Sequence, residues 1–260
     1  MRDAEAPAGF VKFTAGRATV VCATHVAEAF REALVAGTLY KYAETHPRMR
    51  SLAGRGVVCA APLPGDVEDA VIRHNRHGGL LAPITGDVFR TPTFAPRELA
   101  ISERLHEYGI PTPRMLGYVR YDVVPGFQRA DVATREVKDS FDLSAALMSA
   151  DAAHRARAIT AAVNLVVTLG VIGARHADLN VKNILLRDEA GTLRAMVLDV
   201  DRVVFGQPEI VYDLNLERLL RSARKWQTVH GARVTNDELD ELRGSVRERR
   251  PPPVGPRTSS

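Results

Sequence analysis

Apolar residues recur at helical spacing over Thr24–Tyr42, through Val26, Phe30, Leu34 and Leu39, and predict a helix there. Pro47 and the basic run Arg48–Arg50 interrupt it. The period then changes: Val57–Ala61 and Ala70–Ile72 are short β-like runs flanking a Pro64-Gly65 turn. Glu98–Tyr108 is helical again, with Leu99, Ile101, Leu105 and Tyr108 apolar. Gly109 is its natural stop, and Pro111 and Pro113 cannot continue it. Met115–Val119 and Ala130–Val132 read as strands. After residue 140 the pattern is mostly helical, except for Asn183–Leu186 and Ala195–Val200, two short strands around a turn at Glu189–Gly191.

Strand-rich sequence followed by helix-rich sequence predicts an α+β chain with two lobes. The expected layout is an N-terminal extension over 1–22, a small β-rich N-lobe over 23–120 and a larger helical C-lobe over 121–246. From Arg247 onward, arginines, prolines and serines cannot pack a core, and a disordered basic tail over 247–260 is expected. The seventeen uncharged residues from Ala158 to Ala174 fall short of the roughly twenty apolar residues a bilayer requires. They predict a buried core helix ending near Gly170.

Composition changes this picture little. Charged residues make up 25% and hydrophobic residues 45% of the 260, which argues against wholesale disorder and against a fibrous repeat. The net charge of +4 suits a partner that carries phosphate: a nucleotide, a nucleic acid or an anionic membrane surface. Cys22 and Cys59 are too few for a disulfide framework and lack metal-ligand spacing.

Candidate chemistry lies in the run His176-Ala177-Asp178-Leu179-Asn180-Val181-Lys182-Asn183. Phosphoryl transfer needs metal-bound phosphates and an aligned nucleophile more than it needs covalent help. Asp178 is placed to meet an acceptor hydroxyl as the catalytic residue, and Asn183, five residues on, can offer oxygen to Mg2+. Asp199 follows the apolar run Met196-Val197-Leu198 and is read as the second metal ligand. An H-x-D-L-x-x-x-N run arises by chance in about one chain per thousand, so loop capping alone is a poor account of it. The set predicts a protein-kinase-like fold that uses ATP and Mg2+. His176 is expected to scaffold the loop rather than move protons. Asp201 is read either as a further metal ligand or as a loop-holding salt bridge.

Upstream, Gly54-Arg55-Gly56 before a strand would let backbone amides approach nucleotide phosphates, although such a turn is as often an ordinary hairpin. Ala70-Val71-Ile72-Arg73 puts arginine where protein kinases carry a phosphate-binding lysine. Glu98 near a helix start is its expected partner, with Glu103 in reserve. His74, Arg76 and His77 join Arg73 in a basic cluster that suits phosphate or simply solvent.

These segments together resemble the lipopolysaccharide kinase family, and within it the kinases of 3-deoxy-D-manno-octulosonic acid (Kdo). The resemblance rests on Gly54-Arg55-Gly56, Ile72-Arg73-His74 with Gly78-Gly79, Gly109-Ile110-Pro111-Thr112-Pro113 and His176–Leu186. It extends to Leu198-Asp199-Val200-Asp201-Arg202, with Val200 in place of the family's usual phenylalanine, and to Asn215-Leu216-Glu217-Arg218-Leu219 with Arg221-Ser222. It covers roughly residues 50 to 225. It implies that arginine at position 73 is normal, and that ATP phosphorylates a Kdo hydroxyl on a lipid A precursor. It also implies a peripheral protein at the cytoplasmic face of the inner membrane; separately, the C-terminal arginines could meet an anionic membrane surface or simply solvent, and no nucleic-acid partner is expected. Two other readings compete: a small-molecule kinase of the aminoglycoside or choline phosphotransferase type, and a pseudokinase serving as a binding module.

Overall fold

The computed structural model describes residues 6–52, 58–74, 89–90, 93–124 and 127–250. Gly54, Arg55, Gly56, Arg76, His77 and the Gly78-Gly79 pair lie outside the described residues. The chain divides into two compact units. The first holds residues up to Glu103 together with Pro113–Glu136, and the second holds Arg104–Thr112 and everything from Val137.

The first unit is built on an antiparallel sheet. Its strands are β1 (Phe10–Ala15), β2 (Ala18–Ala23), β3 (Arg50–Leu52), β4 (Val58–Pro62), β5 (Asp69–His74), β6 (Phe89–Arg90), β7 (Met115–Val124) and β8 (Phe127–Arg135). They run in the order β1-β2-β7-β8-β5-β4-β3, with β6 beside β8. Period-two alternation sorts neighbouring residues to opposite faces. Val20, Ile72 and Val119 join Phe30 and Leu39 in one apolar cluster, from helices α1 (Ala27–Val35) and α2 (Leu39–Thr45). Val21, Tyr118 and Val132 join Ala95 and Leu99 of α3 (Ala95–Glu107) in another. Both cysteines are buried and free.

Three boundaries differ from the sequence expectation. The predicted 1–22 extension contains β1 and β2, which meet at a two-residue Gly16-Arg17 turn and continue the sheet through β7. The first unit ends at Glu136 rather than 120, because β7 and β8 form one hairpin that cannot be divided without breaking its ladder. The single helix expected over Thr24–Tyr42 is two helices, since Gly37 takes φ 124° and the Thr38 side chain caps the Lys41 amide.

In the second unit the uncharged run forms most of α5 (Ala152–Val171), capped by Asp151. It packs against α6 (Pro208–His230) and α7 (Asn236–Glu248). Among the described residues no helix is long and apolar enough to cross a membrane. Short strands β9 (Ser140–Asp142), β11 (Ile184–Glu189) and β12 (Thr192–Val197) form one sheet, β10 (Ala174–His176) and β13 (Val203–Phe205) another, and α4 (Leu143–Met148) follows β9. Gly173 delivers the chain from α5 into β10 at φ +65°, so close to the Gly206 carbonyl that a Cβ would sit 2.1 Å from it.

The predicted tail begins too early. Leu239, Leu242 and Val246 carry the buried face of α7 to Glu248. Beyond it Arg249 donates to Asn164 and Arg250 to Asp213, so helical packing and two acceptors hold residues 247–250. Residues 251–260 lie outside the described residues.

Candidate active site

The loop from His176 to Asn183 leaves β10 and enters β11. Its polar side chains bond mainly to the loop's own backbone. The Asp178 carbonyl accepts from Asn180 Nδ2 at 3.1 Å and from Asn183 Nδ2 at 2.9 Å. A carbonyl only accepts, so the nitrogen of the Asn183 amide must face it, and Oδ1 is the end that can meet a cation. Asn180 Oδ1 takes the Lys182 amide at 2.9 Å, and Asn183 N–H donates to the Asn180 carbonyl at 2.9 Å. Lys182 Nζ in turn bonds Asp142 at 2.6 Å, the residue whose carboxylate caps α4.

A second loop is stitched onto this one. Leu198 donates to the Asn183 carbonyl at 2.9 Å, and its own carbonyl accepts from His176 Nε2 at 2.9 Å. Ala177 N–H donates to the Arg202 carbonyl at 3.1 Å, and Val197 N–H to that of Pro111 at 2.9 Å. Asp199, the next residue, stands exposed with left-handed backbone, φ 51° and ψ 49°, opening a short 3-10 turn over Val200–Arg202. Few non-glycine residues adopt that conformation, and the bonds at Leu198 and Arg202 on either side of it hold Asp199 there.

His176 is the joint between the loops. Its Nδ1 accepts from the Asp178 amide at 3.2 Å while Nε2 faces a carbonyl, which requires the neutral ring with its proton on Nε2. Burial lowers its pKa below the usual histidine value, even though the Leu198 carbonyl and the carboxylates of Asp199, Asp178 and Asp201 favour the charged ring. All three acids therefore lie within electrostatic reach of one imidazole. The expected scaffolding role of His176 agrees with this geometry. Asp201 makes a 3.4 Å ion pair with Arg202.

One face of α6 supports the loop from behind. Asn215 is fully buried; its Oδ1 takes the His176 amide at 3.0 Å and its Nδ2 bonds the Ala174 carbonyl at 2.9 Å. Three residues on, Arg218 ion-pairs with Asp178 Oδ1. A further turn along, Ser222 Oγ accepts from the Val181 amide at 3.2 Å. The spacing i, i+3, i+7 places the three on one helical stripe. Sequence reasoning assigned none of them a role. The signal available was Asn215, a polar residue inside the buried stripe of Tyr212, Leu216 and Leu219.

In the first unit, Arg73 on β5 ion-pairs with Glu98 in the first turn of α3, where the helix dipole favours a carboxylate. Glu98 is buried and Arg73 only partly exposed. Neighbouring His74 turns away into a structural network. It bonds the buried Asp131 at 2.5 Å and stacks on Tyr40, while Asp131 also takes the Tyr40 amide at the start of α2. The sequence reading of His74 as part of a basic loop is thus corrected by an acid it had no means to pair with it.

Asn183 and Asp199 supply oxygen donors only, the preference of a hard cation such as Mg2+, which keeps most of its ligands as water and phosphate oxygen. The donor chemistry fits that ion.

The β-rich unit carries an arginine–glutamate pair and the helical unit carries this loop, and the relatives of the chain make it a phosphotransferase that acts on an alcohol group. A sequence profile of the lipopolysaccharide kinase (Kdo/WaaP) family matches residues 46–237, and the chain belongs to that family. It is 30% identical over 181 residues to the 3-deoxy-D-manno-octulosonic acid kinase of Actinobacillus succinogenes, covering 67% of this chain and 73% of that protein. The enzyme of the same name from Pasteurella multocida is 29% identical over 161 residues, covering 60% and 66%. Among solved structures, WaaP in complex with acyl carrier protein aligns at 15% identity and a TM-score of 0.48, over 85% of this chain and 96% of that one.

Proposed function

We propose that this chain transfers the γ-phosphoryl group of ATP to a hydroxyl of Kdo on a lipid A precursor, as a peripheral protein at the cytoplasmic face of the inner membrane. The observation that supports the reading is the stitched pair of loops, in which Asp178 and Asp199 lie within electrostatic reach of one neutral histidine and the Asn183 amide bonds the Asp178 carbonyl. Such cross-bonding preorganises charged groups before a substrate arrives, and phosphoryl transfer depends on positioning and electrostatics above all. Asp178 accepts the acceptor's hydroxyl proton as its oxygen bonds to phosphorus and the bond to ADP breaks. Arg218 fixes the rotamer of that carboxylate. Asn183 and Asp199 hold the Mg2+ that accompanies the nucleotide. Arg73, oriented by Glu98, binds nucleotide phosphate. Bound Mg-ATP supplies the phosphoryl group and neutralises its developing charge.

The test is incubation of the purified protein with Mg-ATP and a Kdo-bearing lipid A precursor, read by mass spectrometry. One added phosphate on the Kdo portion is expected. Labelling confined to aminoglycosides or amino alcohols would move the chain to the small-molecule kinases. No transfer to any of these acceptors would favour a pseudokinase.

A further inference from the structure

A concavity of about 320 Å3 opens beside the Asp178 loop, large enough for one sugar ring. Its charged lining comes from Arg175 on β10 and from Asp213, Glu217, Arg218 and Arg221 on α6. The two acids are already engaged by guanidinium groups that do not line it: Asp213 by Arg250 at 3.1 Å and Glu217 by Arg243 at 3.8 Å. Glu217 and Arg221 stand four apart, the spacing that commonly pairs on a helix, yet Glu217 turns to Arg243 instead. Among the described residues, neither Arg175 nor Arg221 has an ion-pair partner. Arg218 and Arg221 stand three apart on one face of α6, and Arg218 is paired with Asp178.

We propose that Arg175, Arg218 and Arg221 form the seat of the acceptor's own carboxylate, so that the concavity selects a sugar acid over a neutral sugar. This rests on the reading above, in which the acceptor is Kdo, an acid sugar. Arg218 is the link to chemistry. A guanidinium has five N–H donors in a rigid fork, so it can hold Asp178 and a substrate carboxylate together. Seating the carboxylate therefore fixes how far the ring's hydroxyls stand from Asp178. The same cations would accept phosphate, and the experiment separates the two anions.

KM is measured for the Kdo-bearing lipid A precursor as free acid and as its methyl ester, with wild type and with the Arg175→Gln/Arg221→Gln double variant. In wild type, esterification raises KM at least tenfold. In the double variant KM for the free acid rises at least tenfold, and acid and ester differ by less than twofold. A double variant that still discriminates acid from ester overturns the proposal. So does a wild type whose KM responds to removal of the lipid phosphates but not to esterification. Arg175→Lys/Arg221→Lys restores part of the discrimination, and circular dichroism checks that each variant is folded. If wild type phosphorylates no Kdo acceptor, calorimetric titration with free Kdo still decides. Binding that the glutamine variant loses upholds the site while the kinase assignment falls, and equal binding or none by both proteins removes the site.

Discussion

Arg73 and Glu98, in the first unit, meet because a strand and a helix bring two side chains together, and they hold one another by charge. Asp178, Asn183 and Asp199, in the second, ride on loops whose backbone is bonded almost throughout. Seven of the eight amides from His176 to Asn183 donate to a partner, including Asn215, Ser222 and the His176 ring. Charge pairs tolerate movement of their ends, whereas directed bonds to peptide groups do not. The first arrangement suits gripping a flexible polyphosphate, and the second suits holding a proton acceptor and metal ligands in place. Substitutions in the two places should therefore fail differently.

The largest effect is expected at Asp178. Asp178→Asn removes the proton acceptor but leaves every backbone bond of the loop, so kcat should fall by roughly 10^2–10^4-fold. Stability should change by less than about 1 kcal/mol, because the lost ion pair with Arg218 is partly exposed. Steady-state kinetics and urea unfolding read the two separately. Undiminished turnover would remove Asp178 from its role. Asn215→Ala should show the reverse emphasis. It strands the buried His176 amide and Ala174 carbonyl, at about 1–3 kcal/mol each, so a loss of about 2–6 kcal/mol is expected in urea unfolding. A stability loss below about 1 kcal/mol would mean the clamp is dispensable.

Legibility in the sequence follows the same division. Asp178, Asn183 and Asp199 can be proposed from sequence because phosphoryl-transfer chemistry would impose residue type and spacing within 22 positions. Arg73 and Glu98 are harder, yet strand and helix patterns put them in order. The clamp from α6 is invisible to local reading: Asn215 and Arg218 act about 40 residues from their partners, through a helical face whose direction only packing decides. The β1–β2 hairpin is missed for another reason. Its turn is Gly16-Arg17, and Gly16 at φ 58° supplies the needed backbone without a glycine or asparagine pair to announce it. His74 is misread because its partner Asp131 is 57 residues away on a neighbouring strand.

The charge pair of the first unit predicts a graded response. Arg73→Met should raise KM for ATP about tenfold, equivalent to about 1.4 kcal/mol of lost nucleotide binding. Arg73→Lys should recover part of it, since lysine keeps the point charge but not the planar fork. Because one ion pair is at stake, unfolding should shift less than it does in Asn215→Ala. A KM for ATP unmoved by Arg73→Met would take Arg73 out of the nucleotide site and leave it a structural partner of Glu98.

The smallest effect is the most specific to the stitched loops. His176 is held neutral by burial, with its pKa below the unfolded value of 6.5. In acid the unfolded chain takes up a proton at this residue before the folded one does. The histidine's contribution is therefore complete above pH 6.5, and it erodes as pH falls below that value until the lowered folded pKa is reached. Linkage limits the slope to about 1.4 kcal/mol per pH unit for one proton. His176→Gln should be less stable at pH 8, having lost the Leu198 and Asp178 bonds, but the gap from wild type should narrow as pH falls from 6.5 to 5.5. Urea unfolding of both proteins at each pH isolates this group, because the other titrating residues are shared. Curves that stay parallel across that window would mean the ring accepts its proton in the folded state, with the Asp178 amide no longer bonded to Nδ1 and the joint between the two loops looser than the geometry implies.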